Sequence, residues 1–206
     1  MSALIEYNGF LYEERFTVND LDQNELNKVF EIFKTSYERS TGSSWTESKF
    51  FDRAKLWEFY GDKNKGFVAT RPQRSGPIKL TGVAGSPISA MRGMQELIDS
   101  EHKPIWGMAS KNIVAKMSNF KFITPPAFLV KLMFKTIDPS VFGGIPMEIQ
   151  SDGGVKFQYN DTGDAIKYFF ANKSYYKWLL ESGIAKIDIP TMFKIPFEMF
   201  KKKVLG

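Results

Sequence analysis

Helix-start signals stand directly behind strand-like runs along this chain, and that alternation constrains its fold more than any other feature. Ile78 to Ala84 reads as a strand, and Ser86 with Pro87 follows at once. Serine is a good helix N-cap, and proline suits the first helical position because its missing N–H leaves no bond unmade. Ile88, Met91, Met94, Leu97 and Ile98 then recur at helical intervals to Ser100, predicting one buried face. The succession repeats where the short apolar run from Pro104 to Ala109 meets Ser110, which opens a helix with Ile113, Val114 and Met117 as its buried positions.

Elsewhere the pattern is of the same two kinds. Phe10 to Val18 alternates as a strand, and the spacing of Asp20 and Gln23 is that of a capping box. An amphipathic helix follows over 21–39, burying Leu26, Val29, Phe30, Phe33 and Tyr37. Ser44 and Glu47 open a second, with Phe50, Phe51, Ala54 and Trp57 on one face, predicted to run to Tyr60. Gly66–Arg71 and Ile78–Ala84 form a hairpin across the Pro72–Pro77 turn. Phe120 to Lys135, apolar and β-rich, is expected to give one or two strands broken at Pro125-Pro126, and 137–154 is loop-rich. Val155–Tyr159 reads as a strand and 164–182 as a last helix, with Gly183 as its C-cap. From Ile184 onward, with Pro190 and Pro196, no period stands out. Strands outnumber what a bundle allows and helices interrupt what a sandwich needs, so an α/β or α+β layered sheet is expected.

Composition excludes several chemistries. The 206 residues suit one domain, or one with an appendage. There is no Cys and a single His, His102, which removes disulfides, thiol nucleophiles and multi-histidine metal sites; no metal is expected. Nineteen Phe, 8 Tyr and 4 Trp can fill a core. No apolar run is long enough to span a bilayer, and the N-terminus lacks the basic and apolar regions of a signal peptide, so a cytoplasmic protein with no membrane partner is expected. The 28 Lys and Arg against 23 Asp and Glu leave +5. That charge is diffuse, and its one tight run is Lys201-Lys202-Lys203, the place where nucleic acid or an acidic protein would be met.

Single residues are read more plainly. His102 falls at the end of the helix begun by Pro87, roughly 20 Å from that helix's first amides at ~1.5 Å per residue, where a cation suits the last carbonyls. Arg71 and Arg74 are exposed cations of a hairpin turn, and the tryptophans have core spacing. Asp152-Gly-Gly154 and Tyr159–Asp164 are rich in Asp and Gly for turn geometry rather than metal binding. Ser110 and Asn112 stand at the end of a central strand, where layered sheets place ligands.

The order of elements, the hairpin leading into a helix N-terminus and the strand-to-helix step at Ser110 resemble the GNAT (GCN5-related N-acetyltransferase) superfamily over residues 10–160. Lys79-Leu-Thr-Gly82-Val-Ala84 is similar to its phosphate-loop pattern with Lys in the first place. Ser110, Ile113, Met117, Lys121 and Phe122 follow the spacing of its next helix. The resemblance implies a central mixed, mostly antiparallel sheet flanked by helices on both faces, with 1–160 as a GNAT-like domain and 161–206 as a C-terminal helical extension. It also implies acetyl-CoA as ligand, held by Gly82, Val83, Ala84, Gly85, Ser86, Ile88, Ser89 and Asn112, with Ser110 as the catalytic hydroxyl. The family's general-acid tyrosine falls on Met117, which has no proton to donate. Two functions follow: an acyl-CoA-dependent N-acetyltransferase, or a scaffold that has lost its chemistry and binds a host or phage protein. Trp106-Gly-Met-Ala-Ser110 and Gly163-Asp-Ala-Ile-Lys167 resemble GNAT-like proteins of tailed bacteriophages, which implies a host-cytoplasmic or virion location.

Overall fold

A computed structural model describes all residues except 1–3, 8–9, 14, 43, 75, 101, 137–144, 160–162 and 182–187. The chain divides into two compact units, Met1–His102 and Lys103–Gly206.

In the first unit, β1 (Leu4–Tyr7) and β2 (Phe10–Glu13) form an antiparallel hairpin, so the predicted strand at 10–18 ends early and gains an unforeseen partner. Phe16 instead joins β3 (Glu58–Asp62), exchanging backbone bonds with Phe59 of 3.0 and 2.9 Å. Helix α1 (Gln23–Thr41) begins two residues later than predicted. Asp20 is engaged by Thr17, and the box that caps α1 is Asp22 with Glu25. Thr46, not Ser44, caps α2 (Glu47–Ala54), its hydroxyl oxygen accepting from the Lys49 N–H. Helix α2 stops at Ala54 rather than Tyr60. Phe59 and Tyr60 are both buried on adjacent positions, a pattern that suits a strand covered on two faces.

The hairpin is as predicted: β4 (Gly66–Pro72) pairs with both β3 and β5 (Ile78–Gly85), antiparallel. Ala69 faces Gly82 while the next residue, Thr70, faces Leu80, so Thr81 is an extra residue on β5, a β-bulge. The Thr81 hydroxyl donates to the Ala69 carbonyl at 2.8 Å and holds it. One face of these strands carries Phe59, Phe67, Ala69 and Ala84 against Val29, Phe30, Phe33 and Phe50 of the first two helices. The other is covered by α3 (Pro87–Ser100), which sits so close that a Cβ on Gly93 would fall onto the Tyr60 carbonyl oxygen. Helix α3 buries Ala90, Met94 and Leu97, whereas Ile88 and Met91, predicted on the same face, are 66% and 55% exposed. The tight contact at Gly93 rotates the inward stripe toward positions 90, 93, 94 and 97.

In the second unit the strand order is β6 (Ile105–Ala109), β9 (Gly163–Ala171), β8 (Val155–Tyr159), β7 (Met147–Ile149), each pair antiparallel. Two segments differ from expectation. The apolar stretch after Pro125-Pro126 is a helix, α5 (Ala127–Thr136), whose buried Leu129, Val130, Met133 and Phe134 have helical spacing. Pro126 starts it, its carbonyl accepting from the amides of Leu129 and Val130. The predicted helix over 164–182 is a strand followed by a helix, β9 and then α6 (Lys173–Glu181). Asn172 divides them: its side-chain oxygen accepts from the amides of Ile105 (3.0 Å) and Tyr175 (2.9 Å), and its amide donates to the Lys103 carbonyl. Gly183 lies outside the described residues. The tail folds as α7 (Lys194–Leu205), with Pro196 in its first turn where its ring is tolerated.

Trp106, Phe157, Phe169 and Ala171 on one sheet face pack with α5, α6 and α7. On the other, Phe122, just after α4 (Lys111–Met117), lies edge-on to Phe170 at 5.5 Å. The chain is thus mixed α/β, mostly antiparallel, as the sequence predicts. No helix among the described residues is long and apolar enough to cross a membrane.

Candidate functional site

Gly82, Val83, Ala84, Gly85, Ser86, Ile88 and Ser89 occupy one continuous piece of the first unit, the end of β5 and the first turn of α3. The bulge at Thr81 turns the strand over, so Gly82 faces α1, where a Cβ would meet the Phe33 ring at 2.9 Å, and Ala84 is in the core. Gly85 then takes a left-handed φ of 84°, with the Lys65 carbonyl pressed where a side chain would be; only glycine suits it. The chain leaves this point directly as a helix.

The amides of this loop are unequal. The Gly85 N–H donates to Ser36 Oγ and the Ser86 N–H to the Lys65 carbonyl, both at 2.8 Å. These bonds brace the turn from α1 and from the β3–β4 connection. Pro87 has no N–H, and Ala90 is the first amide to return to the Ser86 carbonyl. Helix geometry therefore leaves the amides of Ile88 and Ser89 without an intrahelical acceptor, at the positive end of a 14-residue helix. Such a terminus favours an anion, phosphate included. Val83, Ile88 and Met91, all exposed, lend the same region apolar surface.

Ser110 and Asn112 belong to the second unit, at the start of α4, and both are exposed. Ser110 is the N-cap by backbone position, but its hydroxyl makes no cap bond. Met117 is 6% exposed and packs inward, so the position that the resemblance assigns to a general acid is filled by core. His102 is exposed beyond the end of α3.

Sequence reasoning missed one polar group. Tyr168 lies across the ladder from Ala109, the residue before Ser110, and its hydroxyl donates to Asp152 Oδ2 at 2.6 Å. Asp152 Oδ1 accepts from the Gly154 amide, and Lys111 Nζ is 3.9 Å from Oδ2. The Tyr168 hydrogen bond, followed by the Gly154 amide, lowers the Asp152 pKa; the same hydrogen bond raises that of Tyr168. The signal was hidden because Tyr168 reads as helical in sequence and Asp152 as a turn former. Among the described residues no group of three or more His, Asp or Glu could hold a metal ion.

No protein-family model matches the sequence, and no curated protein matches it either. Solved structures do. One is N-acetylglutamate synthase from Neisseria gonorrhoeae, complexed with coenzyme A and N-acetyl-glutamate: 8% identity over 73% of this chain and 33% of that one, TM-score 0.45. The chain thus spans about a third of the length of that synthase. Another is a probable acetyltransferase of the GNAT family from Chromobacterium violaceum ATCC 12472, at 14% identity, 86% and 94% coverage and TM-score 0.49. A third is Ard1 from Thermoplasma volcanium, at 9% identity, 74% and 94% coverage and TM-score 0.41.

Proposed function

We propose that this protein is an acyl-CoA-dependent N-acyltransferase of GNAT type. The observation that carries the reading is the strand end at Gly85, locked by Ser36 and Lys65, which delivers the open amides of Ile88 and Ser89 at a helix N-terminus. In this reading those two amides hold the donor's pyrophosphate, and Gly82, Val83 and Ala84 supply the adjoining backbone. The acyl donor contributes an activated thioester carbonyl. A backbone N–H at Val83–Ala84 would hydrogen-bond its oxygen as charge develops there. A neutral amine attacks the carbonyl carbon, the C–N bond forms and the C–S bond breaks, and the amine proton passes to solvent. Ser110 and Asn112 belong to the second unit, and the resemblance alone supports their roles as hydrogen-bond donor to the thiolate and polar contact to the donor. Residues 1–160 would form the acyltransferase domain and 161–206 its extension. The sequence resemblance to phage proteins supports a tailed-phage origin.

Calorimetry with acetyl-CoA tests this. Binding is expected, and Ile88→Glu should weaken it by about tenfold or more through repulsion of the phosphates. The same substitution should leave the fold intact, because Ile88 is exposed and an acidic side chain suits a helix N-terminus. No heat at millimolar acetyl-CoA, or equal binding by the variant, overturns the reading.

The inward-facing Met117 favours a second reading, a GNAT-like binding protein without catalysis. Acetyl-CoA binding with no acyl transfer to any of a panel of primary amines would support it over the enzyme.

A further inference from the structure

Helix α7 is apolar on two faces. Phe200 and Val204 are buried in the second unit's core and Phe197 packs against the same cluster, so one side of the helix is seated. On the outer side Met192, in the turn just before the helix, and Ile195 and Met199 are 76%, 76% and 69% exposed. Their spacing of three and four residues places them in one row. Lysines border that row. Lys202 and Lys203, three and four residues beyond Met199, prolong it, and Lys194 stands beside Ile195; all three are exposed. Lys201 is tied to Glu198 at 3.7 Å.

Folding uses only the seated face, so the outer row needs another explanation. A second copy of the chain would set these lysines against their own images. Nucleic acid would suit the lysines but would press three bare apolar side chains against phosphates. A protein groove would suit the three apolar side chains, but lysines at both ends of the row call for an extended negative surface around them. A flat anionic lipid surface accommodates every feature: apolar side chains enter between headgroups, and lysine stems lie along the apolar zone with their ammonium groups at phosphate level.

We propose that α7 lies in the plane of an anionic membrane surface, with Met192, Ile195 and Met199 inserted and Lys194, Lys202 and Lys203 on lipid phosphates. The sequence-based expectation of no membrane partner rested on the lack of a spanning segment; a helix resting on the interface is a different arrangement. The proposal does not rest on the acyltransferase reading.

The test is co-sedimentation of the full chain with vesicles of equal parts phosphatidylglycerol and phosphatidylcholine. Binding is expected, weaker by about tenfold on phosphatidylcholine alone and reduced by high salt. Met192→Gln, Ile195→Gln and Met199→Gln combined should lower it by about tenfold or more, with an unchanged melting temperature because all three side chains are exposed. The chain has no cysteine, so Met199→Cys accepts a single environment-sensitive fluorophore, whose emission should shift to the blue on the anionic vesicles. Absence of vesicle binding, undiminished binding by the triple variant, or a silent label on bound protein each overturns the proposal. So does self-association that the triple variant abolishes while vesicles have no effect.

Discussion

The two units fill their cores in different ways. In the first, rings meet rings: Phe33 alone contacts Tyr37, Trp45, Phe50 and Trp57 at centroid distances of 5.1 to 5.9 Å. The second has ring contacts as well, Trp106 with Phe169 at 5.5 Å and Tyr176 with Phe200 at 5.1 Å, but shares its core with aliphatic and thioether side chains, Leu129, Val130 and Met133 of α5 among them. Rings have few rotamers and definite edge and face preferences, so the first core specifies one arrangement and tolerates little change. A core containing Met adapts more easily. The layer of the first unit that Gly82 and Ala84 face is thus the stiffer by composition, while the layer under α3 holds Met94 and Leu97.

The largest expected effect sharpens this contrast. Phe33→Ala should cost about 3–5 kcal/mol, whereas Met133→Leu, which conserves volume, should cost less than about 1.5 kcal/mol. Urea denaturation of both variants measures it, and equal losses would break the distinction. Next comes Asn172→Ala in the second unit, which leaves the amides of Ile105 and Tyr175 without their side-chain acceptor. A loss of about 1–3 kcal/mol is expected, together with accelerated amide exchange at Ile105 and Tyr175. The smallest effect is electrostatic. Asp152 has its pKa lowered in the fold, first by the Tyr168 hydroxyl and then by the Gly154 amide, so its contribution is present above the unfolded carboxylate range and disappears as pH falls through the folded value. Asp152→Asn should therefore be slightly less stable than the parent at neutral pH and equal to it in strong acid. A gap that widens toward acid would contradict that assignment.

How far the sequence shows the fold differs between the units for the same physical reasons. Ser86-Pro87 and the 66–84 hairpin are set by local chemistry, caps and turns, and are read directly. The 120–135 segment is apolar on most positions and the 164–182 segment joins a strand-like run to a helical one without a break in composition, so neither period stands out and tertiary packing decides. Pro126 and Asn172 are what divide them, Pro126 through local bonds to Leu129 and Val130, Asn172 through a bond to Ile105 that only the fold brings into reach. At the candidate site the helix start was legible in the sequence. The unequal use of its amides was not, because Ser36 and Lys65 are remote in sequence from the loop they hold. The Tyr168–Asp152 pair was hidden in the same way.

Thr81 has a consequence of its own. Ile78 and Leu80 are register partners of Pro72 and Thr70, while Gly82 and Ala84 are partners of Ala69 and Phe67. Even-numbered positions before and after the extra residue therefore serve opposite layers, so the bulge acts as a switch of parity within one strand. Taking Thr81 into the ladder opposite Ala69 would restore strict alternation and turn the segment from Gly82 onward upside down. The core would then be offered Val83 in place of Ala84, and the first turn of α3 would be rotated away from its present direction. A one-residue frame thus sets where the two open amides point.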